Sequence, residues 1–306
     1  MRKTIVTTTI NHPTEAIRRY DSMEGWDLIV IGDLKTPSDY RLEHGHYVSP
    51  AEQEEYDPLL SEAIGWNCIQ RRNFGILIAY EMGSDIIALI DDDNIPEPSW
   101  GKELRVGTEI EVNLYETSLD AFDPVGATNH RQLWHRGYPL ELLAQRRYPE
   151  PVTRRVQVDI DAGFWNGDPD IDAICRLEHA PECDFDRSLF PLAGSVMAPF
   201  NSQNTMLARR VVPYYFLYPH IGRMDDIWAA YYVQAHGFNA VFSEPSVFQD
   251  RNDHDLIRDL KAEIIGYTNN LSLIRDLKRD PESIVSYLPG PSIRAWDLYR
   301  RHFDRA

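Results

Sequence analysis

The chain has 306 residues, 43% hydrophobic and 11% aromatic, which is enough apolar material for one large core or two modest ones. Its 31 basic and 48 acidic side chains give a formal charge of −17, which opposes nonspecific attachment to nucleic acid or anionic lipid, so no nucleic-acid partner is expected. No apolar run approaches the roughly 18 to 20 residues of a transmembrane helix, and the threonine-rich start lacks a small-residue cleavage site, so the expectation is a cytoplasmic protein with no transmembrane segment.

The opening reads as strand 4–9, helix 14–20 and strand 26–31, a βαβ unit whose first strand is β-branched throughout its centre. The polar stretch 34–56, with Pro37, Gly45 and Pro50, is expected to be a surface excursion. From Ile64 the apolar spacing through Ile69, Phe74, Ile76, Leu77 and Tyr80 predicts one helix. It leads into the run Ser84-Asp85-Ile86-Ile87-Ala88-Leu89-Ile90, which suits a central strand of a mostly parallel sheet covered on both faces. Further on, 106–115 holds a strand, 123–126 a turn, and 190–200 an apolar segment of strand character. Strand 240–248, an amphipathic helix over 255–267 and a helix over 293–303 close the chain. Cys68, Cys175 and Cys183 are too few and too irregularly spaced for a zinc site or a disulfide framework, so reduced, mostly buried thiols are expected.

Asp91, Asp92 and Asp93 close the buried run at 84–90. Ligands of such sheets sit outside the carboxyl ends of the strands. Three carboxylates there repel one another unless a cation is shared among them, and oxygen ligands suit Mn²⁺ or Mg²⁺ bridging to a diphosphate. The same Asp-Asp-Asp-Asn string serves equally as a solvated turn. No Gly-x-Gly-x-x-Gly or Walker string occurs, so a phosphate ligand calls for a metal or for local arginines.

Four other strings carry candidate chemistry. Gly222-Arg223-Met224-Asp225-Asp226 is a glycine turn feeding a helix, where the aspartates either cap the helix or act as a general base. Arg71 and Arg72, just before Asn73, offer guanidinium groups to a diphosphate. Arg136, between Trp134 and Tyr138, is expected to stack as well as carry charge. Gln249 to His254 follows a strand and offers an imidazole to a metal shell.

The order Ile90-Asp91-Asp92-Asp93, Arg136-Gly137-Tyr138-Pro139, Phe190-Pro191 and Ile221-Gly222-Arg223-x-Asp225-Asp226-x-Trp228 resembles the plant reversibly glycosylated polypeptides, or UDP-arabinopyranose mutases. The strings Trp-Asp-x-Ile-Val-x-Gly-Asp-x-Lys-Thr-Pro and Gln-x-Arg-Asn-x-His are similar to STELLO-type glycosyltransferases. The resemblance implies an α/β fold, a GT-A-like (Rossmann-like) mixed sheet flanked by helices. A catalytic domain over 1–254 and a C-terminal helical extension over 255–306 packed on it follow from the same reading. It also implies a UDP-sugar donor, a glycan or other hydroxyl acceptor, and Mn²⁺ or Mg²⁺ as cofactor. By position, Thr7, Thr8, Thr9 and Asp33 would line the base and ribose, with Arg71 and Asn73 near the diphosphate. Asp91 and Asp92 would meet the donor, Asp91, Asp93 and His254 the metal, and Asp225 and Asp226 the sugar or acceptor, while Arg136 matches the family arginine associated with reversible glycosylation and is counted with Asp225 and Asp226 as catalytic. In the mutase pattern a Trp-His pair follows the last strand, whereas Phe248-Gln249 stands here, and the segment between Pro96 and Arg136 matches poorly. A metal-dependent glycosyltransferase is therefore the leading expectation, with a UDP-sugar mutase and a noncatalytic nucleotide-sugar-binding protein beside it. Retention against inversion and a homo-oligomer stay open.

Overall fold

The computed structural model describes residues 1–249 and 255–304. The β-branched opening forms β1 (Lys3–Thr9), followed by α1 (Glu15–Asp21), whose first turn is capped by the Thr14 hydroxyl, and by β2 (Asp27–Gly32), parallel to β1. The stretch expected as a surface excursion instead holds β3 (His46–Val48), paired with β2, and α2 (Pro50–Tyr56). Its polarity misleads because Ser49 and Glu52 are spent on a capping box, and Tyr40 and Gln53 are buried against the sheet.

The helix expected from Ile64 instead begins at Arg72. α3 (Pro58–Ile64) stops at Gly65, which has φ 81°, and α4 (Arg72–Glu81) starts only after Asn67 at φ 58° and a 3₁₀ turn at Ile69–Arg71. Apolar spacing continues through this break, so periodicity alone misses it. α4 lies so close on β1 that a Cβ at Gly75 would collide with the Val6 side chain.

β4 (Ile86–Ile90), buried at every position, pairs in parallel with β1. Next come β5 (Asn94–Pro96), β6 (Glu109–Tyr115), β7 (Val152–Gln157), β8 (Ile160–Gly167) and α5 (Ala173–His179). β9 (Leu192–Gly194) is the strand portion of the apolar segment 190–200, and it follows a cis Phe190-Pro191 bond. β10 (Asn204–Ala208), α6 (Asp225–Ala235), β11 (Ala240–Gln249), α7 (Leu256–Leu277) and α8 (Gly290–Arg300) complete the described elements.

Among the described residues eleven strands form one sheet, in the order β3-β2-β1-β4-β10-β8-β11-β9-β6-β7, with β5 on β11. β10 is antiparallel to both β4 and β8, so the sheet is mixed rather than mostly parallel. The antiparallel return brings residues 201–204 to the carboxyl end of β4, beside Asp91. The α/β class and the mixed sheet flanked by helices, with helices at the end of the chain, are as expected.

α6 is buried from Asp225 through Val233, which explains why its sequence has no polar face. α7 packs on α5 and α6, with Trp228 Nε1 donating to Asn270 Oδ1 at 2.9 Å, and α8 packs on α3 and sets its buried Trp296 and Tyr299 against Phe216. Cys68, Cys175 and Cys183 are unbridged, the last two buried. No described helix is long and apolar enough to cross a membrane.

Candidate functional site

At the carboxyl ends of β1 and β4 lies a cleft of two compartments that share Thr8, Ile69 and Asp92 in their walls. One, of about 330 Å³, is bounded by Thr9, Asp33, Asn67, Cys68 and the end of β2. The other, of about 310 Å³, is rich in charge and gathers Asp91, Asp92, Asp93, Arg72, Arg136, Asp170, Arg223, Asp225 and Asp226.

The less charged compartment owes its shape to Asp33. Its carboxylate accepts the backbone N–H of Leu34 at 2.6 Å, Asn67 at 2.8 Å and Cys68 at 3.1 Å, which pins the 67–68 loop against the end of β2. Asp33 thus borders the expected base and ribose position, with its oxygens committed to the loop. Thr8 and Thr9 line the compartment, while Thr7, fully buried, does not. Asn73 is also absent from both compartments. Its amide is exchanged with the backbone of Leu217, at 2.9 and 3.0 Å, so it ties α4 to the 215–218 segment.

The two arginines expected near a diphosphate behave differently. Arg71 borders the compartment, but its guanidinium points into the helical layer, donating to Gln53 Oε1 at 2.8 Å and Ser61 Oγ at 3.0 Å and lying 3.6 Å over the Trp66 ring. Burial lowers its pKa to about 10. Arg72 is the one that reaches the acidic run, with Nη2 on Asp91 Oδ1 at 2.7 Å and Nη1 on the Ser202 hydroxyl at 2.9 Å.

The three aspartates do not act as a bundle. Asp91 pairs with Arg72, whereas Asp92 accepts from Thr9 Oγ1 at 2.5 Å and Asn11 Nδ2 at 3.2 Å. Burial raises the Asp92 pKa, and these two hydrogen bonds oppose the rise. Asp93 faces the charged compartment beside Gln249, the residue that pairs with Asn94 across β5 and β11. His254 lies outside the described residues. Among the described residues no three His, Cys, Asp or Glu side chains converge as a ready-made metal cage. Asp91 and Asp93 nonetheless put two hard oxygen ligands on one cleft, which is what a Mg²⁺ or Mn²⁺ completed by waters and a diphosphate requires of a protein.

The facing wall comes from α6. Gly222, at φ 63°, lets the chain turn against α7, where a Cβ would collide with the carbonyl of Ala262. That turn delivers Asp225 and Asp226 to the start of α6. Asp226 is saturated: Arg136 grips both its oxygens, at 2.9 and 3.1 Å, and the Ser202 N–H and hydroxyl donate at 2.9 and 3.2 Å. Arg136 also binds Asp170 at 2.8 Å and the Arg223 carbonyl, and Arg223 extends the network to Asp170, Asp259 and Glu263. Burial would lower the Arg136 pKa, but Asp170 and Asp226 raise it well above its ordinary value. The stacking expected of Arg136 is not found, since the cation over Trp134 is Arg146. Arg136 is instead a buried cation clamped between carboxylates.

Asp225 differs from its neighbour. Among the described residues its carboxylate has one side-chain hydrogen bond, from Gln70 Nε2 at 2.7 Å. Burial, then the adjacent Asp226, push its pKa up to about 7. A buried carboxylate poised near neutrality in a cleft is what proton removal from a hydroxyl needs.

Asp170, Ser202, Gln203 and Gln70 were not singled out in the sequence. The run Asn201-Ser202-Gln203-Asn204, four amide or hydroxyl side chains directly after the apolar Phe200, is the signal that pointed to part of them, and all four are buried.

No protein-family profile matches the chain. Among curated proteins it is similar to the probable glycosyltransferases STELLO2 and STELLO1 of Arabidopsis thaliana, 26% and 25% identical over 230 residues. These alignments cover 67% of this chain and 29% of each relative, so the chain spans less than a third of the length of the proteins it matches. Structures of glucosyl-3-phosphoglycerate synthase from Mycobacterium tuberculosis align over most of the chain. One, with Mn²⁺, UDP and phosphoglyceric acid, covers 88% of this chain and 78% of its own at 13% identity and a TM-score of 0.49. Another, with Mn²⁺, UDP-glucose and glycerol 3-phosphate, covers 89% and 80% at 13% identity and a TM-score of 0.48. By sequence, this chain is similar to the STELLO-type glycosyltransferases.

Proposed function

We propose that the cleft binds a nucleotide-sugar donor, a UDP-sugar in the reading the sequence motifs favour, and transfers the sugar to a hydroxyl acceptor. The observation that carries this is the placement of Asp225, a carboxylate raised to about 7, in the same compartment as Asp91 and Asp93. The base and ribose belong in the compartment bounded by Thr8, Thr9 and Asn67, with the diphosphate running past Arg72 toward Asp91 and Asp93. A Mn²⁺ or Mg²⁺ held by Asp91 and Asp93 would offset the charge of the departing diphosphate. Arg72 adds a buried guanidinium on the same path.

Asp225 takes the proton of the acceptor hydroxyl as the acceptor oxygen bonds to the anomeric carbon and the bond to UDP breaks. Asp226, held by four hydrogen bonds, fixes the start of α6 and is no free base. Arg136, clamped by Asp170 and Asp226, orients Asp226 and makes a poor nucleophile in the protonated state its partners enforce.

The test is product analysis of the folded protein with UDP-sugars and Mn²⁺, with and without a mixed glycan acceptor. Transfer gives free UDP and a glycosylated acceptor that Asp225→Asn abolishes. An isomeric UDP-sugar formed without an acceptor would assign the cleft to a mutase instead. UDP binding without turnover would leave a noncatalytic binding protein.

A further inference from the structure

The segment between α3 and α4 touches both compartments. Asn67, Cys68 and Ile69 form part of the wall of the less charged one, fixed there by the Asp33 carboxylate, and Ile69 also borders the charged one. One residue on, Gln70 is buried, 7% exposed, and its amide nitrogen donates to Asp225 Oδ2 at 2.7 Å across 155 residues of sequence. Gln70 is held on a 3₁₀ turn, Ile69–Arg71, whose last residue, Arg71, is locked by Gln53 and Ser61. Its side chain therefore approaches Asp225 from a rigid base rather than from a free loop.

We propose that Gln70 is the positioning residue for Asp225, fixing one carboxylate oxygen and joining the wall of the nucleotide compartment to the group that removes the acceptor proton. This rests on the reading of Asp225 as the base. An amide that donates to a carboxylate stabilises its ionised form and opposes the burial that keeps it protonated. The other charged groups around Asp225 are Asp226, which favours its protonated form, and Arg136, which opposes it. The buried Tyr215 phenol lies within its field, and Arg72, Asp91, Asp92, Asp93, Asp170 and Arg223 share the compartment. Gln70 supplies the single side-chain hydrogen bond among the described residues and couples the carboxylate to Asn67 and Cys68 through three residues of chain.

The experiment uses the full chain as wild type, Gln70→Leu and Gln70→Glu, with melting curves to confirm folding. Carbon-13 NMR of labelled aspartate carboxyls follows the Asp225 titration directly, its resonance assigned by its loss in Asp225→Asn, and needs no turnover. Losing the donated hydrogen bond moves that titration upward by about one pH unit, a tenfold change in ionisation. Gln70→Glu, which brings a like charge, moves it further. In parallel, the acid limb of kcat/KM for transfer shifts up in the same order while UDP affinity stays within about twofold. An Asp225 titration unmoved in both folded variants overturns the proposal. If instead the titration moves but the wild type transfers no sugar, the positioning contact stands and the transferase reading fails.

Discussion

The two walls of the cleft bury acid in different ways. At the end of β4, Asp91 pairs with Arg72, Asp92 accepts from Thr9 and Asn11, and Asp93 lines the charged compartment. At the start of α6, Asp225 and Asp226 are neighbours with opposite fates, since Asp226 is saturated by Arg136 and Ser202 while Asp225 has, among the described residues, one side-chain donor, Gln70. A count of carboxylates thus says little about chemistry. What distinguishes Asp226 from Asp225 is how many donors each carboxylate holds among the described residues.

The largest effect that could break this comparison is on Asp225. Asp225→Asn should lower transfer by about 10²–10⁴-fold while leaving UDP affinity intact, as read by initial rates and calorimetry. Its pH dependence has a defined sign. The folded pKa is raised to about 7, above the roughly 3.9 of an unfolded aspartate, so the folded state keeps a proton the unfolded chain has lost. Stability therefore falls as pH climbs from about 4 to about 7, and Asp225→Asn should remove that fall. Transfer moves the other way, rising through about pH 7 as the base ionises. An Asp226→Asn variant should melt at a lower temperature and keep transfer, with its acid limb moved down because the Asp226 charge no longer raises the Asp225 pKa.

Next in size is Arg136. Removing it as Arg136→Met strands Asp226 and part of Asp170 in a buried network, a loss of about 3–5 kcal/mol in denaturant unfolding. A loss under 1 kcal/mol would mean that the network is not the anchor described. On the β4 wall, Asp93→Asn should abolish the Mn²⁺-dependent part of UDP stabilisation, up to about 2.7 kcal/mol at a hundredfold excess over Kd. Asp92→Asn, whose carboxylate serves Thr9 and Asn11, should lower stability and leave most of the metal dependence in place. The smallest effect lies outside the cleft, where Asp120 pairs with Arg275 at 2.7 Å and Lys278 at 3.0 Å near the surface. Asp120→Ala should cost about 0.2–1 kcal/mol, and less at high salt.

The same contrast explains what could be read from the sequence. The β4 wall was legible because one continuous run, Ile86 to Asp93, contains both the buried strand and its acidic tip. The pair Asp225-Asp226 was legible as a helix start, but which of the two is saturated with donors was not, since that depends on Ser202, Arg136 and Gln70, all far away in the chain. Arg71 and Arg72 looked equivalent, and only the break at Gly65 and Asn67 turns one guanidinium into the helical layer and the other into the cleft. β8 and β10 were missed for a related reason. β8 carries Asp161 and Asn166 in a region that reads as acidic, and the buried polar run at 201–204 hides the start of β10.

The most direct test of the account is a calorimetric titration of UDP into the full chain with and without Mn²⁺, on wild type, Asp93→Asn and Asp225→Asn. The account predicts binding to wild type that strengthens with Mn²⁺, loss of that strengthening in Asp93→Asn, and wild-type affinity in Asp225→Asn. A folded wild-type protein that takes up no UDP under either condition would contradict it.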